Sequence, residues 1–275
     1  MKTIIAVIAE FPRDEFWLKL SIESYKNFAD HIVIVDGSKG ESDEDCETGK
    51  IITEDPDLIE NFIDQNFILD DDLKRLRDKF SIIPNTYPHQ DKGADGKQRN
   101  KYLDFIKDKF PGDLCVVVDS DEVLADNAEE QIEHIKKTFI ENTELDIYNP
   151  RMEHFINDFG HVDSTLDFHF CPHRIFKISK DLKYPEVEHV FLKSEERKLM
   201  VHQSNIIATT ILYYHYAYVK GKEDIIEKYE KHMAKSNIHT TKFLDWWKHS
   251  HLFGSFPVKD FIGKHPKPVI EKFKL

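Results

Sequence analysis

Short apolar runs alternate with amphipathic stretches through the first half of the chain. Residues 3–9 are almost wholly apolar and rich in Ile and Val, so they read as a buried strand. Residues 14–28 place Trp17, Leu18, Ile22 and Tyr25 near helical spacing, and an amphipathic helix follows. His31-Ile32-Val33-Ile34-Val35-Asp36 reads as a second strand that ends in an acid. The strand–helix–strand order implies parallel pairing through a right-handed crossover. Residues 57–67 and 70–80 read as helices, 81–84 as a short third strand, and Gly93-Ala94-Asp95-Gly96 as a flexible loop before a helix over 97–110. Leu114-Cys115-Val116-Val117-Val118 is a fourth buried strand. Residues 127–142 form another helix, with Ile132, Ile135 and Phe139 on one face.

After residue 143 the pattern changes to short strand-like runs at 145–148, 152–156, 174–178, 187–192 and 211–216. They predict an antiparallel extension beside the parallel sheet. Residues 222–236 and 241–252 read as terminal helices, the second with Trp246 and Trp247 as packing residues, and 264–268 as a surface tail. The expected fold class is therefore α/β and Rossmann-like: a mostly parallel central sheet, a smaller antiparallel extension and C-terminal helices. Residues 1–142 would be the ligand-binding half, 143–219 a mixed β region of the same domain, and 220–275 a helical region.

Composition narrows the classes. A chain of 275 residues buries an adequate core without staples. No apolar run approaches the roughly 18 residues of a transmembrane helix. Residues 1–9 superficially resemble a signal peptide, but Glu10, Arg13, Asp14 and Glu15 follow without a small-residue cleavage site. Three cysteines, odd in number and without zinc spacing, fit a reducing cytoplasm. The net charge of −13 disfavours a generic nucleic-acid coat. Residues 220–275, with 12 Lys against 7 acidic residues, run the other way. They read either as a solvated helical face or as a platform for an anionic acceptor or membrane surface.

The chemistry is concentrated in Asp119-Ser120-Asp121-Glu122, directly after the fourth strand. Alternate side chains of an extended segment point the same way, so Asp119 and Asp121 would converge. Two hard oxygens there suit Mg²⁺ or Mn²⁺ carrying a phosphate. The plainer reading is a solvated turn opening the next helix, with Asp126 or Asn127 as its N-cap. Position tells for the first reading: parallel strands would bring Ala9-Glu10, Asp36 and Asp119-Ser120-Asp121 to one rim, where α/β sheets bind ligands.

With these residues the sequence resembles the GT-A fold glycosyltransferases, specifically the family-2-like group, over most of residues 3–124 and again near His215. Val33–Ser38 resembles the group's V-D-x-x-S segment, residues 93–100 its glycine–x–arginine–asparagine element, and 116–122 its strand followed by D-x-D-E. Arg174-Ile175-Phe176 resembles an R-hydrophobic-F strand and residues 212–218 an H-x-x-Y segment. The chain departs from the pattern in lacking a second acid after Asp36. It also has Glu188-His189 where many members have His-Glu.

The resemblance implies inverting transfer of a sugar from a nucleotide-sugar donor, UDP-linked by expectation, to a hydroxyl acceptor. The acceptor itself (glycan, lipid-linked sugar, protein or modified nucleic acid) stays open. Asp121 and Asp119 would hold a divalent ion against the diphosphate, with His215 completing the set and favouring Mn²⁺ over Mg²⁺. His215 is equally readable as a half-buried strand histidine. Asp36, Ala9, Glu10, Arg99 and Ser120 would line the nucleotide site, Arg99 through its planar donor fork. The base that deprotonates the acceptor is Glu188 first and His189 second, with Glu153, His154, Asp158, Asp163 and Asp167 as further candidates.

Other classes fit less of the chain. A haloacid-dehalogenase-like phosphatase would use Asp119 as nucleophile, but leaves the strand–helix–strand unit at 3–36 unexplained. A sugar nucleotidyltransferase expects a glycine-rich loop after the first strand, and residues 9–15 contain no glycine. A non-catalytic nucleotide-sugar-binding module would not need the intact Asp119/Asp121 pair.

Overall fold

A computed structural model describes residues 1–9, 14–36, 58–67, 77–84, 94–164, 172–185, 191–203, 212–219 and 257–275. The expected helices at 222–236 and 241–252, the turn after Asp36 and most of the segments 70–80 and 187–192 lie outside the described residues.

The first strands pair as their sequence demands. β1 (Thr3–Ala9) lies between β2 (His31–Asp36) and β4 (Leu114–Val117), parallel to both, and β3 (Phe80–Pro84) adds in parallel on the far side of β2. Such strands need cover on both faces, which is why their apolar runs hardly alternate. Ile5, Val7, Ile32, Ile34, Leu114 and Val116 pack against helices α1 (Glu15–Tyr25), α2 (Leu58–Phe67) and α4 (Ala128–Glu141). Ile4, Ala6, Val33, Val35, Cys115 and Val117 pack on the other face against Tyr102, Leu103 and Ile106 of α3 (Ala94–Lys109). Cys115 is fully buried, the small core residue its strand position predicts.

The sheet continues through β9 (Ile175–Lys177), antiparallel to β4, then β6 (Ile147–Asn149) and β12 (Val201–Gln203), in the order β12-β6-β9-β4-β1-β2-β3. A second sheet of order β14-β8-β7-β13-β5 stands beside it. It comprises β5 (Glu122–Leu124), β7 (Met152–Ile156), β8 (His161–Asp163), β13 (Tyr213–Tyr218) and β14 (Val258–Asp260). A two-stranded ribbon, β10 (Leu182–Lys183) with β11 (Lys193–Ser194), completes the β structure among the described residues. The fold is thus mixed α/β with a largely parallel central sheet, a mostly antiparallel companion and a C-terminal helix.

Several local expectations need correction. The side sheet is not wholly antiparallel, since β13 runs parallel to β7. The helix expected from residue 97 begins at Ala94, so Asp95-Gly96 belong to its first turn rather than to a loop. Of the two expected caps, Asn127 rather than Asp126 stands at the N-cap position of the helix that follows, without a side-chain cap bond. The Asp126 carboxylate accepts the backbone N–H of Lys267 at 2.7 Å and so caps α5 (Lys267–Phe273), in the region expected to be a surface tail. Val269 of α5 is fully buried, and Phe273 packs on Trp17 of α1. Trp17 in turn stacks flat on Tyr216 of β13, with centroids 5.2 Å apart and planes within 9°. One aromatic column therefore joins α1, the side sheet and the C-terminal helix. Trp17→Ala should lower unfolding free energy by about 3 kcal/mol, the low end for removing a large aromatic from a packed site, as read by urea denaturation. Among the described residues, no helix is long and apolar enough to cross a membrane.

Candidate functional site

The carboxyl ends of the parallel strands form the rim anticipated from sequence. The pairing register sets Ala9 beside Asp36, and the N–H of Val118 bonds to the carbonyl of Ala6, so Asp119 leaves the sheet next to the end of β1. Asp36 is buried there.

At Asp119 the chain does not stay extended. The N–H of Glu122 donates to the carbonyl of Asp119 at 2.9 Å, closing a four-residue turn between the two sheets. The Glu122 carboxylate reaches back and accepts the N–H of Asp119 at 2.8 Å. This turn carries the chain from β4 into β5, which pairs antiparallel with β13 and sets His215 opposite Glu122. Because the segment turns, Asp119 and Asp121 do not converge as two alternate residues of a strand would.

They have different partners instead. Arg99 from α3 donates one terminal N–H nitrogen to both oxygens of Asp119, each at 3.0 Å. Arg174, just before β9, donates to Asp119 at 2.7 Å and to Glu122 at 2.6 Å. Both arginines are buried, and Glu122 is 0% exposed. Burial opposes the charge on Asp119, but Arg174 and Arg99 outweigh it and hold the carboxyl well below the usual carboxylate range. Burial raises the Glu122 carboxyl, to about 7, against the pull of Arg174. Burial opposes the charge on each guanidinium, but Asp119 keeps Arg99 charged, and Asp119 with Glu122 keeps Arg174 charged.

This changes the reading of two expected site residues. Arg99, expected on phosphate or base, is a buried partner of Asp119, and Asp119, expected on a metal ion, is held between two guanidiniums. Sequence reasoning gave Arg174 no role, although an arginine opening an apolar strand is a signal of a paired buried charge. Ser120, expected at the nucleotide, donates to Asp14 at the start of α1 at 2.8 Å, tying the turn to that helix.

Asp121 faces the other way, toward the side sheet. Its Oδ1 lies 3.5 Å from Nε2 of His215, with 19% and 15% of the two side chains exposed. His215 Nδ1 is 2.8 Å from Nδ1 of His154 on the parallel neighbour β7. Among the described residues there is no cluster of three or more His, Cys, Asp or Glu poised around one point. One carboxylate oxygen and one imidazole nitrogen nevertheless fit a divalent ion that takes its other ligands from phosphate and water.

The candidate bases separate as well. Glu153 accepts from Arg151 at 2.7 Å and alternates with His154, so only His154 shares the face of His215. Asp158 binds His161 and the N–H of Gly160 in an exposed turn. Asp163 is buried, and burial raises the Tyr218 hydroxyl first, with Asp121 and then Asp163 adding to the rise. Glu10, Asp167, Glu188 and His189 lie outside the described residues. The described chain flanking Glu188-His189 is pinned on both sides. Asn100 of α3 makes a two-bond clamp on the backbone of Tyr184, at 2.8 and 2.9 Å. His173 Nδ1 accepts the N–H of Leu192 at 2.9 Å.

An acidic turn at the carboxyl ends of parallel strands is the general place for a ligand in an α/β sheet. No protein-family model matches the chain, and no curated protein matches it. Solved structures do. It is similar to S. aureus TarS 1–349, with a TM-score of 0.44 and 14% identity over 92% of this chain and 71% of that one. For TarS 1–349 in complex with UDP-GlcNAc the values are 0.45, 13%, 92% and 72%. For S. aureus TarS itself they are 0.45, 14%, 92% and 44%. These are likenesses of chain path, and the residue roles above come from the side-chain geometry.

Proposed function

We propose that this protein is a glycosyltransferase that moves a sugar from a UDP-linked donor to a hydroxyl acceptor with inversion, using Mn²⁺ or Mg²⁺. The observation that carries the reading is the approach of Asp121 and His215 to 3.5 Å, where the turn after β4 leads from the central sheet into the side sheet. A divalent ion bound there supplies positive charge opposite the diphosphate leaving group.

The chain's own residues do the rest. Asp36 accepts hydrogen bonds from the nucleoside at the end of β2, next to Ala9. Asp121 and His215 hold the ion. Arg99, Arg174, Asp119 and Glu122 form a nearly neutral, hydrogen-bonded scaffold that fixes the turn, so Asp121 is aimed before the donor arrives. Glu188, with His189 beside it, is the proposed base for the acceptor hydroxyl. The location is cytoplasmic in this reading. A phosphatase with Asp119 as nucleophile is disfavoured, because both oxygens of that carboxylate already accept guanidinium hydrogen bonds.

Thermal denaturation with UDP, with and without Mn²⁺, tests the donor site. At a hundred times the dissociation constant, UDP should add about 2.7 kcal/mol of stability, and only when Mn²⁺ is present. A panel of nucleotide sugars, read by released nucleotide, then identifies the sugar. Stabilisation by phosphate analogues without any by UDP would reverse the assignment.

A further inference from the structure

The two arginines that hold Asp119 each have a sequence neighbour that holds another part of the chain. Asn100 follows Arg99 on α3 and clamps both backbone groups of Tyr184. Its Nδ2 donates to the Tyr184 carbonyl at 2.8 Å, and its Oδ1 accepts the Tyr184 N–H at 2.9 Å. His173 precedes Arg174, and its Nδ1 accepts the N–H of Leu192 at 2.9 Å. A backbone N–H can only donate, so Nδ1 is fixed as the accepting nitrogen of this ring. Burial lowers the imidazole to about 4, which keeps it neutral and able to accept near pH 7. The same ring meets Phe191 edge-on, with centroids 5.2 Å apart. Tyr184 and Leu192 are both buried, and the Tyr184 ring packs on Tyr102 of α3.

Tyr184 and Leu192 are the two feet of one hairpin. β10 and β11 pair antiparallel with Lys183 opposite Lys193, so the chain that leaves at Tyr184 returns at Leu192. Glu188 is the middle residue of that span in sequence. At no more than about 3.6 Å per residue, chain length alone keeps it within about 14 Å of either foot. A ribbon this short does not hold its own place, since a lone two-stranded hairpin is marginal in water. The feet take their position from Asn100 and His173 instead. We infer that Asn100 and His173 are positioning residues for the proposed base, tying both feet of the span that carries Glu188 to the neighbours of Arg99 and Arg174. The inference rests on the reading of Glu188 as base, and neither positioning residue touches the donor in that reading. When water replaces the acceptor, Glu188 takes a proton from it, the water oxygen bonds to the anomeric carbon, and the diphosphate leaves with the electron pair. Donor binding by Asp36, Asp121 and His215 does not use the span, so loss of a foot should act on turnover and spare affinity.

The test separates the two in the full-length protein. His173→Leu removes the acceptor for one foot, and Asn100→Ala removes the clamp on the other. Each should lower kcat for hydrolysis of the donor found by the nucleotide-sugar panel about 10- to 100-fold, the scale of a base displaced by about 1 Å. The affinity for UDP with Mn²⁺, read by calorimetry, should not change. His173→Gln offers an amide oxygen to the Leu192 N–H and should recover most of the loss, which filling the space alone would not do. In a Glu188→Gln background His173→Leu should add little, because the base it positions is already gone. Circular dichroism checks that each variant folds; Asn100→Asp, which keeps the acceptor for the Tyr184 N–H, stands in should Asn100→Ala not fold. Unchanged kcat in both single variants, weaker binding of UDP with Mn²⁺, or full additivity of His173→Leu with Glu188→Gln overturns the inference. Normal turnover by Glu188→Gln would strike out the base itself, and the positioning role with it. Absence of Mn²⁺-dependent UDP binding in the wild-type protein would instead sink the donor-site reading, and this inference would fall as its consequence.

Discussion

Asp121→Asn is expected to reduce sugar transfer by about a thousandfold, with little change in thermal stability. Asparagine keeps the size of the side chain and one oxygen, but removes the charge that faces His215 and the proposed ion. Metal stabilisation of a departing diphosphate is worth several kcal/mol, and about 4 kcal/mol corresponds to that thousandfold loss. The fold should tolerate the change because asparagine is nearly isosteric with aspartate and the backbone bond of this residue survives it. The carbonyl of Asp121 accepts the N–H of Tyr216 at 2.9 Å, and substitution of the side chain leaves it intact. Asp119→Asn provides the contrast. It takes a negative charge from between two buried guanidiniums, so stability and activity should fall together. The measurements are kcat/KM on the donor found by the nucleotide-sugar panel, and melting by circular dichroism. Normal turnover by Asp121→Asn would remove Asp121 from the proposed site.

The difference between these two aspartates shows where sequence stops being informative. Parallel strands were legible because β1, β2 and β4 are apolar on both faces, a pattern that only a doubly covered sheet explains. The acids at the ends of β2 and β4 were legible for the same reason, since strand direction alone puts them on one rim. What alternation could not reveal was the turn at residues 119–122. It is closed by a backbone bond and by the side chain of Glu122, neither of which leaves a trace in hydrophobic periodicity. Strand β5, three residues long, falls below any periodic signal, yet it places His215 beside Asp121. Arg99 and Arg174 look like ordinary charges in sequence. Only their burial against the same carboxylate, from segments 75 residues apart, makes them a scaffold. A helix is expected in the C-terminal region, but the proline-rich start of α5 reads as a surface tail. Its cap comes from Asp126, 141 positions earlier.

Arg174→Met should be the most destabilising single change at the site, by about 3–5 kcal/mol, because it leaves a fully buried carboxylate without its cation. The size of the effect depends on pH, and the sign follows from two acids. In the wild-type protein Asp119 is held below its unfolded value near 3.9, so it adds stability above that pH and loses it on acidification. Glu122 is raised to about 7 and does the opposite: its contribution is full below about 4.3 and fades as pH rises through 7. Removing Arg174 takes one cation from each. Asp119 then adds less above pH 4, and Glu122, with its attraction gone, rises further and costs more on ionisation. Both changes widen the gap between wild type and variant as pH increases. Urea denaturation at pH 5 and pH 8 should therefore show the larger loss at pH 8. Adding Glu122→Gln to Arg174→Met should recover part of the loss, since glutamine still accepts the N–H of Asp119 and carries no buried charge. A gap that stays constant or shrinks toward pH 8, or a double variant no more stable than Arg174→Met, would mean that the guanidinium is not neutralising Glu122. The turn that aims Asp121 would then be held mainly by its backbone bond and by Arg99.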